Sequence, residues 1–116
     1  MKVFIIGSTA YMVRIHLYAK HLLSQGDEPL LPAFDVEEVS VLETLTRNRK
    51  WMEMADEVHL IYDGRSYGSI FDFGMCFAMR KPLKIIYISS KNIVDGMREY
   101  EEYCNKGGTT GGSKTE

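Results

Sequence analysis

The alternation of apolar and polar positions divides the chain into apolar runs separated by amphipathic stretches. Three runs, Lys2–Ile6, Glu57–Tyr62 and Leu83–Ile88, are nearly continuous, which is typical of strands covered on both faces. A shorter run, Pro29–Pro32, is bounded by prolines, which lack the backbone donor that a central strand needs. It predicts a short strand near the edge of a sheet.

The stretches between these runs carry apolar residues at helical spacing. Helices are predicted over Tyr11–Ser24, Val36–Ala55, Ser69–Met79 and Lys91–Cys104. In the second helix the predicted inward stripe consists of apolar residues: Val39, Leu42, Leu45, Trp51, Met52 and Ala55. Strands and helices therefore alternate along the whole pattern.

This alternation predicts an α/β fold, a single doubly wound, flavodoxin-like parallel sheet with helices on both faces. We expect one domain over residues 1–104 and a disordered tail over 105–116, because the tail has no apolar content. In such sheets ligands bind outside the carboxyl ends of the strands, where the strand order reverses. The loops Gly7–Tyr11 and Asp63–Ser69 are therefore the first places to look for a site.

Composition narrows the function classes. The 116 residues are 45% hydrophobic and 26% charged, with a net charge of -2, which gives no electrostatic argument for a nucleic acid polymer or an anionic membrane as partner. No apolar run approaches the length of about 20 residues that a membrane span needs. The two cysteines, Cys76 and Cys104, match no metal or disulfide spacing, so a cytoplasmic location is the default expectation.

The loop "GSTA" at Gly7–Ala10 follows the first predicted strand. Small residues there let a ligand approach the backbone, and the next helix offers free N–H groups to an anion. The loop matches neither the dinucleotide fingerprint nor the P-loop. A tight strand-to-helix turn explains the same residues, and both interpretations stay open. Arg14 lies one turn into the helix, where it either reaches a phosphate at this loop or is a solvated cation.

Ser69 and Asp72 raise a second alternative. Their spacing matches the capping box, in which Ser69 caps a helix and Asp72 answers it. Such pairs are common at helix starts, so the spacing alone favours the cap. Asp72 would also lie on the first turn of a helix that opens at the ligand crevice. A carboxylate there is stabilised as the anion and can serve as a nucleophile toward a sugar carbon.

Three segments together resemble the nucleoside 2-deoxyribosyltransferase superfamily, including its branch that hydrolyses 2'-deoxynucleoside 5'-monophosphates. The first strand ends in Gly7-Ser8, and "NRKWMEMADEVHLIY" at Asn48–Tyr62 resembles the family's helix, Ala-Asp junction and strand. "SYGSIFDFGMCFAMRKPLKIIYI", Ser66–Ile88, resembles the signature Ser/Asp-x-Gly-x-x-x-Glu-x-Gly-x-Ala followed by Lys-Pro and a strand.

The resemblance implies roles for individual residues. Asp72 stands where the family has the Glu that attacks the anomeric carbon. Ser66 stands where the transferases have an Asp that binds the 5'-hydroxyl and the hydrolases a Ser that contacts a 5'-phosphate. The predicted substrate-binding residues are Gly7, Ser8, Arg14, Asn48, Ser66, Gly68 and Ser69.

Two departures from the family pattern concern the chemistry. Asp72 is one methylene shorter than the family's Glu, and misplacement by about 1 Å can lower a rate about a hundredfold. Asn48 stands where the family usually has an Asp near the leaving base, and an amide cannot deliver a proton.

The leading hypothesis is an enzyme that cleaves or transfers the N-glycosidic bond of a nucleoside or its 5'-monophosphate. It implies a small-molecule nucleoside or nucleotide as ligand, no metal or organic cofactor, and a homo-oligomer in which a neighbour completes each site. A non-catalytic nucleotide-binding module on the same fold, with Asp72 only as a cap, is the alternative. A flavodoxin-like FMN binder, which would be yellow when purified, is the third interpretation.

Overall fold

A computed structural model describes residues 1–33, 39–88 and 93–107 of the chain. Strands and helices alternate through these residues in the order predicted from the sequence. The strands are β1 (Lys2–Ile6), β2 (Glu28–Leu30), β3 (Glu57–Tyr62) and β4 (Leu83–Ile88). The helices are α1 (Met12–Ser24), α2 (Val41–Met54), α3 (Tyr67–Met79) and α4 (Ile93–Asn105), and a short 3-10 turn at Thr9–Tyr11 precedes α1.

The four strands form one parallel sheet in the order β2-β1-β3-β4. The chain steps from β1 to one side for β2 and to the other side for β3, so the strand order reverses between β1 and β3. This confirms the predicted doubly wound α/β fold. β2 lies at the sheet edge as predicted, although it spans Glu28–Leu30 rather than Pro29–Pro32.

Helices cover both faces of the sheet. Ile15, Ala19 and Leu22 of α1 pack on one face against the odd-numbered residues of β1. The other face packs against α2, α3 and α4, and the buried residues that these helices contribute are Met52, Phe73, Cys76 and Met97. Each strand alternates its side chains between the two layers, which explains the nearly continuous apolar runs in the sequence.

The predicted start of the second helix was wrong. The helix begins at Val41 rather than Val36, because the Ser40 hydroxyl accepts the N–H of Glu43 while the Glu43 carboxylate accepts the N–H of Ser40. Residues 36–38 of the predicted helix lie outside the described part of the chain. The predicted inward stripe was wrong at Leu42, which is 72% exposed, and the buried residues of α2 are Thr44, Asn48 and Met52.

The remaining boundaries differ by small amounts. Helix α1 begins at Met12, one residue after its predicted start, and α4 continues to Asn105. Lys91 and most of the predicted tail, residues 108–116, lie outside the described residues. None of the described helices combines the length and the apolar character that crossing a membrane requires.

Candidate functional site

A cavity of about 270 Å³ lies at the carboxyl ends of β1 and β3, where the strand order reverses. This is the position at which open α/β sheets bind ligands. Seven of the eight predicted site residues line it: Gly7, Ser8, Asn48, Ser66, Gly68, Ser69 and Asp72. They come from the loops after β1 and β3, from the middle of α2 and from the first half of α3. Their proximity is a finding, and their roles in binding and catalysis stay predictions.

Arg14 is the predicted site residue that does not line this cavity. Its guanidinium lies 4.1 Å from the centre of the Tyr87 ring and 5.4 Å from that of Tyr11. An arginine stacked on aromatic rings in this way is held by a cation–π interaction. Its proposed contact with a phosphate at the Gly7-Ser8 loop has no support from this position.

Gly7 has a packing reason to be glycine. A Cβ at this position would lie 2.3 Å from the Ile15 Cδ1 atom of α1 and 3.3 Å from the Ile61 carbonyl oxygen of β3. A side chain at this position would therefore displace the side chain of Ile15, which is fully buried. The absent side chain at Gly7 leaves room for Ile15 of α1 beside the end of β1.

Asp63, which sequence reasoning did not single out, organises the loop after β3. Its Oδ1 accepts the N–H groups of Arg65 and Ser66, each at 2.9 Å, and its Oδ2 accepts the hydroxyl of Ser8 at 2.9 Å. Burial raises the pKa of Asp63, but these hydrogen bonds outweigh burial and lower the pKa below its ordinary value. The sequence signal was present, because Asp-Gly directly after a strand favours a turn in which the Asp accepts backbone N–H groups.

Ser66, not Ser69, caps α3. The Ser66 backbone is extended, and its hydroxyl accepts the N–H of Ser69 at 3.1 Å. The helix therefore begins at Tyr67, two residues before its predicted start, and Asp72 lies too far along it to answer a capping serine. The capping interpretation of Asp72 is excluded by this geometry.

Asp72 is buried in the wall of the cavity and only partly hydrogen-bonded. The residue is 4% exposed, and its Oδ2 lies 3.5 Å from the Asn48 Nδ2 atom. Its Oδ1 has no partner among the described residues. Burial raises the pKa of Asp72 from 3.8 to about 7. The expectation that the helix terminus holds this group as an anion was wrong, because the helix dipole acts mainly on the first turn and Asp72 lies beyond it.

Asn48 connects Asp72 to the segment after β2. The Asn48 Oδ1 atom accepts the N–H of Ala33 at 2.8 Å. A backbone N–H can only donate, so this bond orients the amide and directs its NH₂ group toward Asp72. Thr44, one turn earlier on α2, also lines the cavity and was missed. The signal for Thr44 was its position in register with Asn48 and Met52 on one face of the helix.

A larger groove of about 990 Å³ lies between α3 and α4 and is lined by aromatic rings, among them Phe77, Tyr100 and Tyr103. The Tyr100 hydroxyl already donates to the Lys81 carbonyl oxygen at 2.8 Å. Ligand sites place a few convergent polar groups in an otherwise formed pocket. The smaller cavity has such groups, including two buried oxygen atoms that have no partner among the described residues, and is therefore the candidate site.

Comparison with known proteins agrees with the fold. No protein-family model matches the chain, and no curated protein sequence matches it. A solved structure of a 2-deoxyribosyltransferase from the psychrotolerant bacterium Bacillus psychrosaccharolyticus, described as a biocatalyst for nucleoside synthesis, matches with a TM-score of 0.67. The match has 15% sequence identity and covers 86% of this chain and 82% of that one. At this identity the similarity shows a shared fold.

Proposed function

We propose that this protein cleaves or transfers the N-glycosidic bond of a nucleoside or a nucleoside 5'-monophosphate, with Asp72 as the nucleophile. The observation that carries the proposal is a buried carboxyl group that lines the cavity with one oxygen atom unpartnered among the described residues. The shared fold with a 2-deoxyribosyltransferase and the position at the strand-order reversal support the same assignment.

In the proposed reaction the ionised Asp72 carboxylate attacks the anomeric carbon and forms an ester to the sugar. The bond from that carbon to the base breaks, and its electron pair leaves on the base nitrogen, which then takes up a proton. Water, or a second base, attacks the same carbon and releases the carboxylate, as in a retaining glycosidase. Because only the anion attacks and the pKa of Asp72 is about 7, we expect the rate to rise as the pH increases through 7.

Ser8 and Ser66 both line the cavity, but they differ in whether the hydroxyl proton is free to bond the 5' end of a ligand. The Ser8 hydroxyl proton is used in the hydrogen bond to Asp63. The Ser66 hydroxyl accepts the Ser69 N–H, which leaves its own proton available to a ligand. A hydroxyl that donates suits a phosphate oxygen. We therefore propose that Ser66 contacts the 5'-phosphate and that monophosphates are better substrates than nucleosides.

The test is base release from a panel of nucleosides and their 5'-monophosphates, followed by chromatography. Asp72→Asn keeps the shape of the side chain and removes the nucleophile, so we expect release to fall at least about a thousandfold. The matched control is Asp95→Asn, which makes the same chemical change at an exposed position on α4. Release that survives in Asp72→Asn would exclude Asp72 as the nucleophile.

A non-catalytic nucleotide-binding module is the second candidate, and one observation favours it. A carboxyl group with a pKa of about 7 is neutral in half of the molecules at neutral pH and can then donate a hydrogen bond. Such a group serves as a recognition element without any reaction. Saturable nucleotide binding in calorimetry, with no base released over days, would support the module and exclude the enzyme.

We also propose that the protein forms a homo-oligomer through the outer face of α3. Tyr67 is 87% exposed and Phe71 is 50% exposed, and both lie beside the residues of α3 that line the cavity. Large aromatic side chains at such positions are characteristic of interfaces. Analytical ultracentrifugation should show an oligomer that dissociates in the double variant Tyr67→Ser/Phe71→Ser. A wild-type monomer at high concentration would contradict this proposal.

A further inference from the structure

Two buried oxygen atoms in the cavity have no hydrogen-bond partner among the described residues: Ser69 Oγ and Asp72 Oδ1. Both belong to α3, three residues apart, so they lie on one face of the helix, and both residues line the same cavity. Ser69 is 2% exposed and Asp72 4%. A buried polar atom without a partner reduces the stability of the fold, so a protein seldom keeps two together without a use for them.

Three neighbouring polar side chains make hydrogen bonds within the fold. Asn48 bonds to Ala33 and Asp72, Ser8 bonds to Asp63, and Ser66 caps α3. The two unpartnered oxygens lie together on one face of α3, and one of them belongs to the carboxyl group proposed as the nucleophile. A ligand group that satisfies both must donate to the Asp72 carboxylate and accept from the Ser69 hydroxyl. A hydroxyl group does both.

The position of this hydroxyl follows from the proposed function, on which the inference rests. Asp72 attacks the anomeric carbon C1'. A sugar hydroxyl that contacts both Asp72 and the nearby Ser69 Oγ is therefore expected on the neighbouring carbon, C2'. In retaining glycosidases, hydrogen bonds to that hydroxyl strengthen in the transition state and contribute to catalysis. We propose that the cavity selects a ribosyl substrate, which carries a 2'-hydroxyl, over its 2'-deoxy counterpart.

The discriminating power of such a contact is large because the deoxy ligand leaves both oxygens buried and unpaired. Sites built to bond a substrate hydroxyl reject the analogue that lacks it much more strongly than apolar pockets reject a missing methylene. We expect kcat/KM for a ribonucleotide to exceed that for the matching deoxyribonucleotide at least about tenfold, and more if both oxygens engage the hydroxyl.

The experiment compares matched pairs, AMP with dAMP, GMP with dGMP and CMP with dCMP, in base release and in calorimetric binding. Binding is measured on the wild-type protein, because Asp72→Asn would alter one of the two oxygens that the inference assigns to the hydroxyl. A ribonucleotide preference in release or binding supports the inference. Equal rates of release and equal affinities for the two sugars would overturn the inference, and this result is expected if water alone satisfies the two oxygens. A preference for the deoxyribonucleotide would also overturn it.

Ser69→Ala identifies the atom responsible. It removes one of the two oxygens, so the ratio of kcat/KM for the ribonucleotide to kcat/KM for the deoxyribonucleotide should fall several-fold. Ser66→Ala changes the matched serine at the 5' end. It should lower kcat/KM for both nucleotides by the same factor and keep the ratio. Thermal melts show that both variants fold. Release from deoxyribonucleotides alone would overturn the ribose inference and leave the proposed function standing. Neither release nor binding with any of the six nucleotides would overturn both.

Discussion

Two polar clusters, each around a buried side chain, lie on opposite faces of the sheet and differ in how well they are hydrogen-bonded. The His59 cluster, made of Tyr18, His59 and Glu57, lies under α1. Its imidazole is bonded at both nitrogens, with Nδ1 2.6 Å from the Tyr18 hydroxyl oxygen and Nε2 2.7 Å from Glu57 Oε1. The Asp72 cluster, made of Asp72, Asn48 and Ser69, has one long hydrogen bond within it and two oxygens without partners among the described residues.

The difference separates a structural cluster from a candidate binding cluster. A fully bonded buried network stabilises a fold and fixes its geometry, whereas a partly bonded one reduces stability. Burial, with smaller contributions from Glu57 and Asp27, raises the pKa of Tyr18, whose hydroxyl shares a hydrogen bond with His59 Nδ1. The Asp72 cluster lies on a cavity and the His59 cluster does not line it. We infer that stability is given up at the Asp72 cluster in favour of ligand binding.

The largest expected effect is a pH-dependent difference in stability between wild type and Asp72→Asn. The pKa of Asp72 is raised from 3.8 to about 7 on folding, so the native state holds a proton that the unfolded chain releases. The stability associated with that proton is present below pH 4 and is lost as the pH rises through 7. The amide that Asp72→Asn introduces does not titrate, so the variant avoids this loss.

Denaturant titrations at pH 4, 6 and 8 measure this difference. From pH 4 to pH 8 the free energy of unfolding of Asp72→Asn, relative to that of wild type, should increase by up to about 4 kcal/mol. This is the equivalent of roughly three pKa units. All other titratable groups are the same in both proteins, so their contributions cancel in the difference between the two free energies of unfolding. The exposed control Asp95→Asn should follow the wild-type profile. Parallel profiles for Asp72→Asn and wild type would show that Asp72 is not buried as described.

The second effect breaks the bonded cluster. His59→Leu leaves the Tyr18 hydroxyl and the Glu57 carboxylate without their partner, and we expect a loss of about 3 kcal/mol in the free energy of unfolding. Tyr18→Phe alone should lose about 1 kcal/mol, and the double variant should lose less than the sum of the two. Chemical denaturation measures the free energy of unfolding of all three variants. Binding of the proposed nucleotide ligand, measured by calorimetry, should be unchanged in each. Strict additivity would show that the two side chains do not interact.

A smaller effect concerns the one hydrogen bond to Asp72. Asn48→Leu removes the amide donor, so the pKa of Asp72 should rise by about one unit or less, because the bond favours the ionised carboxyl. Carbon-detected NMR titration of Asp72 follows this change without any need for activity. Thr44→Val, one turn earlier in the same cavity wall, serves as the control and should leave the titration in place. An unchanged pKa in Asn48→Leu would mean that the 3.5 Å contact carries no energy.

The smallest effect comes from two glycines of α3. Gly68 lines the cavity, where an added Cβ would meet only Ser66 Oγ at 3.7 Å, and an added Cβ at Gly74 would meet nothing within 4 Å. Alanine at either position should raise stability by up to about 1 kcal/mol. Gly68→Ala alone should weaken nucleotide binding, because it narrows the cavity. Calorimetry on both variants tests this, and equal affinity in both would place the ligand away from the α3 terminus.

The sequence was sufficient to locate much of the candidate site because carboxyl ends of neighbouring parallel strands meet at one edge of a sheet. Gly7 and Ser8 after β1 and Ser66 after β3 were brought into one region by topology alone. Polar residues inside helices were harder to assign. Helical periodicity placed Leu42 on the inward face of α2, whereas the inward face carries Thr44 and Asn48, which line the cavity.

The sequence by itself determined the order of elements and the parallel, doubly wound sheet, because apolar runs and helical spacing are local patterns. Only the tertiary structure decided that Asp72 is not a cap, that it is buried, and that one of its oxygens has no partner among the described residues. Those properties depend on which atoms surround the carboxyl group, and they include Asn48 of α2, 24 residues earlier in the chain. The pKa and partners of a buried group are set by such distant neighbours, which no local pattern records.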